Sequence, residues 1–283
     1  MKTLSFKTPE NPKTDSEMVR REVLALVDES RQRLTPGKLK KRLCEEKMVD
    51  ASTLKAVIRD LVLSRDLKYT YQFGCSFIEK SYDRPVRISE RVVLKPPDTV
   101  FEPAFQDIVI EIIKGASFGF GDHPTTRLAI LGIEAALSVN QGILTADNSQ
   151  ALDFGTGSGV LAITAVLLGI PRAVGIDIDP CARTEAKTNA KLNGLEHRIA
   201  ILDAGVEDIK EPYALIMANL RYPTLRRLCS HMDGILQKDG AMVLSGITAN
   251  EVEDLLGEFT RNGFRCTWKA EEKGWAGMVF IRA

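Results

Sequence analysis

A glycine-rich turn near the middle of the chain carries the residues that could do chemistry. One apolar run ends in Asp153, and a second apolar run further along ends in Asp177. The turn after the first run holds Gly155, Gly157 and Gly159. Glycines let a ligand lie against bare backbone, where a Cβ would block it. The order strand, glycine turn, helix, strand predicts a ligand at the carboxyl edge of a doubly wound sheet.

The spacing of the glycines separates two classes of nucleotide-binding protein. Dinucleotide-binding proteins carry GxGxxG, where a helix N-terminus holds a pyrophosphate. Here the pattern is GxGxG, and Val160 occupies the third dinucleotide position. The carboxylate of Asp153 suits a cationic ligand, such as the methionine part of S-adenosylmethionine, better than a pyrophosphate. Asp177 is placed to accept hydrogen bonds from both ribose hydroxyls, so the motif predicts an S-adenosylmethionine site.

Two residues after a later apolar strand are candidates for the reaction itself. Asn219 follows the apolar run of residues 214–217. Its side-chain carbonyl could accept a hydrogen bond from an amine and aim the amine lone pair at a methyl group. Tyr222 could pack on the amine or its cationic product, or it could cover the cofactor. Asn219 and Tyr222 are therefore the predicted catalytic residues.

The elements around these motifs predict the fold class and the domain organisation. Residues 86–283 are predicted to form an α/β domain with a Rossmann-like sheet of seven strands, the last one antiparallel. Residues 1–15 are predicted to be a flexible leader. Residues 16–85 are predicted to form a small α+β domain, because three segments with helical spacing precede two short strands. That order of elements resembles a winged helix.

The predicted first domain is mildly basic. Residues 1–85 hold 18 Lys and Arg against 13 Asp and Glu, a net charge of +5. Its third helix, from Ser52 to Ser64, carries Lys55 and Arg59 and would be the recognition helix of a winged helix. The pattern is compatible with a protein partner or a nucleic-acid partner through residues 16–82, and both stay open here.

With these residues in view, the chain resembles the ribosomal protein L11 methyltransferase family over about residues 86–283. The matching segments are residues 117–126, 153–159, 175–180, 217–220, 244–247 and 274–279. Phe120 stands where the family has threonine, and the first domain does not resemble the family's small α/β module. The resemblance implies a class I methyltransferase that uses S-adenosylmethionine. It also implies that the cofactor is bound by Thr126, Gly155, Asp177 and Asn219.

These observations predict an enzyme that methylates a nitrogen of a protein, ribosomal protein L11 or another. The alternatives are a methyltransferase for RNA, DNA or a small molecule that uses the first domain for recognition, and a ligand sensor without catalysis. The intact glycine motif argues against the sensor. His123 is predicted to have a structural or lid role in a mobile loop.

Cysteine spacing and hydropathy indicate the cellular compartment in which the protein is expected to work. The five cysteines are far apart and form no CxxC pair, so neither a disulfide framework nor a metal site is predicted. The thiols are therefore expected to be reduced. The N-terminal segment lacks the apolar stretch of a signal peptide, and the chain has no apolar run long enough to span a membrane. These features predict a cytoplasmic protein without a membrane partner.

Overall fold

The computed structural model describes residues 12–30, 32–72, 74–115, 117–121 and 123–283. The chain divides into two compact units, with the division after Ser81; the sequence places it after residue 85. Most of the predicted leader, residues 1–11, lies outside the described residues, and the first helix begins at Pro12. In the described part of the chain, no helix is both long and apolar enough to cross a membrane.

The first unit has three helices followed by a hairpin, in the predicted order. Its elements are α1 (Pro12–Glu29), α2 (Pro36–Lys40), a π-helical turn (Lys41–Glu46), α3 (Ala51–Leu63), β1 (Leu67–Gln72) and β2 (Cys75–Lys80). Asp50 caps α3, since its carboxylate accepts hydrogen bonds from the backbone N–H groups of Ser52 and Thr53. β1 and β2 pair in antiparallel register, and Leu34 bridges to Ile78. The winged-helix interpretation stays a prediction, which this order of elements supports.

The core of the first unit is a cluster of aliphatic side chains from every element. Val23, Leu39, Leu43 and Leu61 are completely buried within it. This burial follows from the helical spacing of the apolar residues in the sequence. The opposite faces of α2 and α3 are left exposed.

The second unit is built on a sheet of seven strands with helices on both faces. Its elements before the glycine turn are β3 (Val86–Arg87), β4 (Val92–Lys95), β5 (Ile108–Glu111), α4 (Pro124–Leu144) and β6 (Gln150–Phe154). Those after the turn are α5 (Val160–Leu167), β7 (Arg172–Ile176), α6 (Pro180–Leu192), β8 (Ile199–Leu202), β9 (Tyr213–Asn219), α7 (Tyr222–Ile235), β10 (Leu236–Thr248), α8 (Val252–Arg261), β11 (Phe264–Glu272) and β12 (Trp275–Arg282).

The strand order of the large sheet is β11-β12-β10-β9-β6-β7-β8. The strands β10, β9, β6, β7 and β8 run parallel, whereas β12 is antiparallel to β10 and β11. The predicted seven-stranded sheet with an antiparallel last strand is therefore confirmed. Two apolar clusters cover its faces, one with α4, α5 and α6 and the other with α7 and α8. Because parallel strands are buried on both sides, ligands reach this sheet at its edge.

One prediction about the entry to the second unit is wrong. The sequence predicts a single strand over residues 86–94, but β3 and β4 are separate strands that pair antiparallel. Ser89 causes the break, because its Oγ accepts hydrogen bonds from the N–H groups of Arg91 and Val92 and closes a turn. The two strands and β5 form a small sheet of their own.

We expect Phe259→Ala to destabilise the second unit by about 3–5 kcal/mol, the usual cost of removing a buried phenyl ring. Phe259 is completely buried and stacks on Phe280 with ring centroids 4.8 Å apart. The matched control is Phe105→Ala, which removes a fully exposed ring and should change stability by less than about 0.5 kcal/mol. Urea unfolding followed by tryptophan fluorescence measures both, and equal small effects would contradict the assigned packing.

Candidate active site

The glycine turn between β6 and α5 is held in a conformation that favours glycine. Gly155, Gly157 and Gly159 have φ angles of 67°, 53° and 82°, in the left-handed region. A Cβ on Gly157 would lie 2.6 Å from the carbonyl oxygen of Phe118, and one on Gly159 would lie 3.1 Å from Cβ of Ala186. At these two positions the need for glycine therefore comes from packing within the protein.

A loop at residues 117–121 lies directly on this turn. The Ser158 N–H donates to the carbonyl oxygen of Phe118 at 2.9 Å, and the Ser158 hydroxyl donates to that of Gly119 at 3.0 Å. Arg127 holds the end of the loop by donating to the carbonyl oxygen of Gly121 at 2.8 Å, and it also pairs with Glu272. The resemblance identified this loop, but nothing in the sequence predicted its contact with the glycine turn.

Asp153, near the end of β6, supports the turn from its buried side. Its side chain is buried, and Oδ2 accepts hydrogen bonds from the Thr156 hydroxyl at 2.7 Å and the Ala162 N–H at 3.3 Å. Oδ1 has no hydrogen-bond partner among the described residues. Burial raises the pKa of this carboxyl from 3.8 to about 7, although the two hydrogen bonds oppose the rise.

Asp177 connects the end of β7 to the same turn. Its Oδ2 accepts a hydrogen bond from the Gly157 N–H and its Oδ1 accepts one from the Asp179 N–H, both at 2.9 Å. Each carboxylate oxygen has a second lone pair that these bonds leave available. The side chain is half-buried at the carboxyl edge of the sheet, where a ligand could reach it.

A cleft of about 590 Å³ opens at this edge. It is lined by Ser117, Phe118, Phe154, Gly155, Gly157, Ile176, Asp177, Ile178, Asp179, Ala182, Ala204, Val206, Asn219, Leu220, Thr224, Arg227 and Leu228. The structure thus brings four predicted site residues together, namely Gly155, Gly157, Asp177 and Asn219. Thr224 and Arg227 were missed, although their helical spacing in the first turns of α7 was a signal that they share a face.

The other predicted site residues lie outside the lining of this cleft. Thr126 is buried in the first turn of α4, and its hydroxyl has no hydrogen-bond partner among the described residues. Gly159 is the N-cap of α5, and Asp153 lies beneath the turn. Tyr222 begins α7 and packs, half-buried, against the apolar cluster of that face. Their roles toward a ligand stay predictions.

His123 packs between aromatic rings in the loop region. Its ring centroid lies 5.2 Å from that of Phe118 and 4.8 Å from that of Trp275. Its Nδ1 lies 2.9 Å from the hydroxyl oxygen of Thr125. These contacts link the loop over the glycine turn to the last hairpin of the sheet. Among the described residues, no group of three or more His, Cys, Asp or Glu side chains could hold a metal ion.

We expect Gly157→Ala to destabilise the second unit more than Gly194→Ala does. Both glycines have positive φ angles, but a Cβ on Gly194 would have no atom within 4 Å. Gly194→Ala should therefore cost about 1–2 kcal/mol for backbone strain alone. Gly157→Ala should cost more, because the loop carbonyl of Phe118 must also move. Urea unfolding of the two variants measures the difference, and equal costs would contradict the close packing of loop and turn.

The raised pKa of Asp153 predicts a pH-dependent stability. Between about pH 4 and pH 7 the folded chain holds a proton on this carboxyl that the unfolded chain releases. The free energy of unfolding should therefore fall as pH rises through this window, by up to about 4 kcal/mol. Asp153→Asn has no proton to lose and should give a flatter profile. Urea unfolding at pH 5 and pH 8 compares the two proteins, and identical slopes would contradict the assignment.

Comparisons with known proteins agree with this architecture. Residues 77–283 match the family described as "Ribosomal protein L11 methyltransferase (PrmA)". A protein of this name from Heliobacterium modesticaldum is 32% identical over 205 residues, which are 72% of this chain and 62% of the relative. Another from Geobacter metallireducens is 33% identical over 196 residues, or 69% of this chain and 62% of the relative.

A solved structure is similar as well. The crystal structure of ribosomal protein L11 methylase from Lactobacillus delbrueckii subsp. bulgaricus has a TM-score of 0.63 and 31% sequence identity, and the match covers 70% of this chain and 98% of that chain. The chain spans less than two thirds of the length of the curated relatives that it matches. Because the match extends over the whole second unit with its glycine turn and cleft, the chain belongs to the ribosomal protein L11 methyltransferase family.

Proposed function

We propose that this protein is an S-adenosylmethionine-dependent methyltransferase that methylates a nitrogen of a protein, with ribosomal protein L11 or a related protein as substrate. The observation that carries the proposal is the single cleft shared by Gly155, Gly157, Asp177 and Asn219 at the carboxyl edge of the sheet. The names of the relatives support the choice of a protein as substrate.

The cleft has the size and polarity that an adenosine-containing cofactor needs. Its volume of about 590 Å³ lies within the roughly 300–1,000 Å³ of small-molecule sites. Apolar side chains of its lining suit the adenine ring, among them Ile178, Ala204, Val206 and Leu228. Asp177 suits the ribose, since the remaining lone pairs of its two oxygens can accept hydrogen bonds from two hydroxyls.

Two buried oxygens outside the lining of the cleft are candidates to contact the amino-acid part of the cofactor. Asp153 Oδ1 and the Thr126 hydroxyl are both buried without a hydrogen-bond partner among the described residues. Buried polar groups are nearly always paired, so such atoms are candidates for contact with a ligand or with water. S-adenosylmethionine, when bound, supplies a methyl group activated by its sulfonium. The polypeptide then has to bind, position and desolvate the reacting groups.

Asn219 is the proposed positioning group for the nucleophile. It ends β9 beside Leu220, whose N–H donates to the Ser245 carbonyl oxygen at 3.1 Å and fixes the backbone at this point. A side-chain carbonyl at the sheet edge can accept a hydrogen bond from an amine and hold its lone pair in line with the methyl carbon. The N–C bond would form as the bond between the methyl carbon and the sulfonium sulfur breaks, the sulfur would leave as a neutral thioether, and the amine proton would pass to solvent.

The first unit is the proposed recognition module, because the family match begins only at residue 77. We propose that the enzyme meets its protein substrate in the cytoplasm, as methylation of a ribosomal protein requires. Methylation of an RNA or another acceptor is the competing outcome of the assay below.

Calorimetric titration with S-adenosylmethionine tests the cofactor site. We expect Asp177→Ala to weaken binding about 10- to 100-fold, because hydrogen bonds to a charged partner contribute about 1.5–3 kcal/mol. Asp254→Ala removes the same charge from the exposed face of α8, outside the cleft lining, and should leave the dissociation constant unchanged. A folded wild-type protein that fails to bind the cofactor would overturn the proposed function.

Transfer of a labelled methyl group to purified ribosomal protein L11 tests the reaction. Asn219→Ala should lower kcat by about 100-fold, the usual effect of removing one positioned hydrogen-bonding group in an active site. The dissociation constant of the product S-adenosylhomocysteine should change much less. If the wild-type enzyme labels RNA and leaves the protein unlabelled, the proposed protein substrate is wrong, whereas the proposed cofactor site is not contradicted.

A further inference from the structure

The hairpin of β11 and β12 has its turn at the sheet edge where the cleft opens. Trp275, the first residue of β12, pairs with Thr248 at the end of β10 and with Glu272 at the end of β11. β10 is parallel to β9, which ends at Asn219 in the lining of the cleft. Because β12 is antiparallel to β10, Arg282 at its other end lies at the opposite edge of the sheet.

The guanidinium of Arg127 joins this hairpin to the loop at residues 117–121. Its Nε lies 3.0 Å from each carboxylate oxygen of Glu272, and its Nη2 donates to the same carboxylate. Its Nη1 donates to the carbonyl oxygen of Gly121 at 2.8 Å and to the hydroxyl oxygen of Tyr82 at 3.3 Å. The side chain is only 12% exposed, so water competes little with these bonds. Arginine presents its donors in a fixed fork, so one side chain can bind a carboxylate and a carbonyl group together.

A second contact between the hairpin and the loop runs through His123. Its ring packs between those of Phe118 in the loop and Trp275 in the hairpin. Phe118 also lines the cleft, and its carbonyl oxygen accepts a hydrogen bond from the Ser158 N–H in the glycine turn. A displacement of the loop would therefore change both the lining of the cleft and the packing on the turn.

Hydrogen bonds to backbone carbonyl groups hold the two ends of the loop. Ser158 donates to the carbonyl oxygens of Phe118 and Gly119, which attaches the first end to the glycine turn. Arg127 donates to that of Gly121, which attaches the second end to the hairpin through Glu272. Removing one partner of a largely buried ion pair leaves the other charge uncompensated and favours rearrangement around it. The position of the loop should therefore depend on both members of this pair.

We propose that Arg127 and Glu272 form a positioning pair, which holds the loop so that Phe118 borders the cleft and S-adenosylmethionine binds tightly. Neither side chain lines the cleft, so the pair acts on the ligand through the loop. The inference rests on the proposed function, since it concerns the same cofactor site. It adds a contribution from the β11–β12 hairpin, which the glycine motif by itself does not include.

Calorimetric titration of the full-length protein with S-adenosylmethionine tests the pair. We expect Arg127→Met to weaken binding about tenfold or more, within the usual range of coupling between linked sites. Arg127→Lys keeps the charge but loses the bidentate contact, so its affinity should lie between those of the wild type and Arg127→Met. Glu272→Gln should also weaken binding. Combined with Arg127→Met, it should cause no further loss, because both changes act through one contact.

The matched control is Arg282→Met, at the other end of the hairpin. Arg282 pairs with the Asp233 carboxylate and donates to the carbonyl oxygen of Leu236, so its loss removes a comparable set of bonds. Its dissociation constant for the cofactor should change by less than about twofold, as expected for a distant site. Thermal unfolding reports how far each variant is destabilised.

A readout without ligand follows the loop directly. In a Trp268→Phe protein, Trp275 is the remaining tryptophan. Since His123 packs between Trp275 and the loop, Arg127→Met should change the emission spectrum of Trp275, whereas Arg282→Met should not.

The possible outcomes separate this inference from the proposed function. An unchanged dissociation constant in Arg127→Met, or an unchanged Trp275 spectrum, overturns the positioning pair and leaves the cofactor site intact. Equal losses of affinity in Arg127→Met and Arg282→Met indicate general destabilisation and also overturn the pair. A folded wild-type protein that does not bind the cofactor overturns the proposed function, and the inference with it.

Discussion

The second unit depends on the close contact between the glycine turn and the two segments that enclose it. The buried carboxyl of Asp153 holds the turn from below through Thr156 and Ala162. The carbonyl oxygen of Phe118 lies so near Gly157 that no Cβ fits between them. Protein atoms cover the glycine turn on these sides, so its backbone is open to a ligand only on the side that faces the cleft. The binding cleft is thus a consequence of packing that leaves one backbone surface uncovered.

Electrostatics in this region follow from the same packing. Asp153 is buried among apolar residues, which raises its pKa to about 7. Asp177, by contrast, is half-buried and receives two backbone N–H hydrogen bonds. Two carboxyl groups beside one glycine turn thereby have different environments. The buried one supports the turn and leaves one oxygen unpaired, whereas the other presents lone pairs to the cleft.

The two units differ in how they use charge. In the second unit, Arg127 is largely buried and joins Glu272 and the carbonyl oxygen of Gly121, so its charge has a structural use. In the first unit, Arg59 of α3 is paired only with its exposed neighbour Asp60, and the exposed Lys38, Lys40 and Lys55 have no ion-pair partner among the described residues. A buried ion pair fixes the groups that it joins, while exposed charges contribute to the field that an approaching molecule meets. The proposed division of labour, with chemistry in the second unit and recognition in the first, rests on the family match, which begins only at residue 77.

The sequence by itself determined the seven-stranded sheet, the glycine turn, and the placement of Gly155, Asp177 and Asn219 at one sheet edge. It could do so because strand and helix periodicities and a glycine motif are local patterns. Only the tertiary structure decided that Phe118 packs on the turn and that Asp153 is buried with an unpaired oxygen. It also decided which cations lack partners. These features join residues far apart in the chain, and contacts between distant residues leave no local pattern to read.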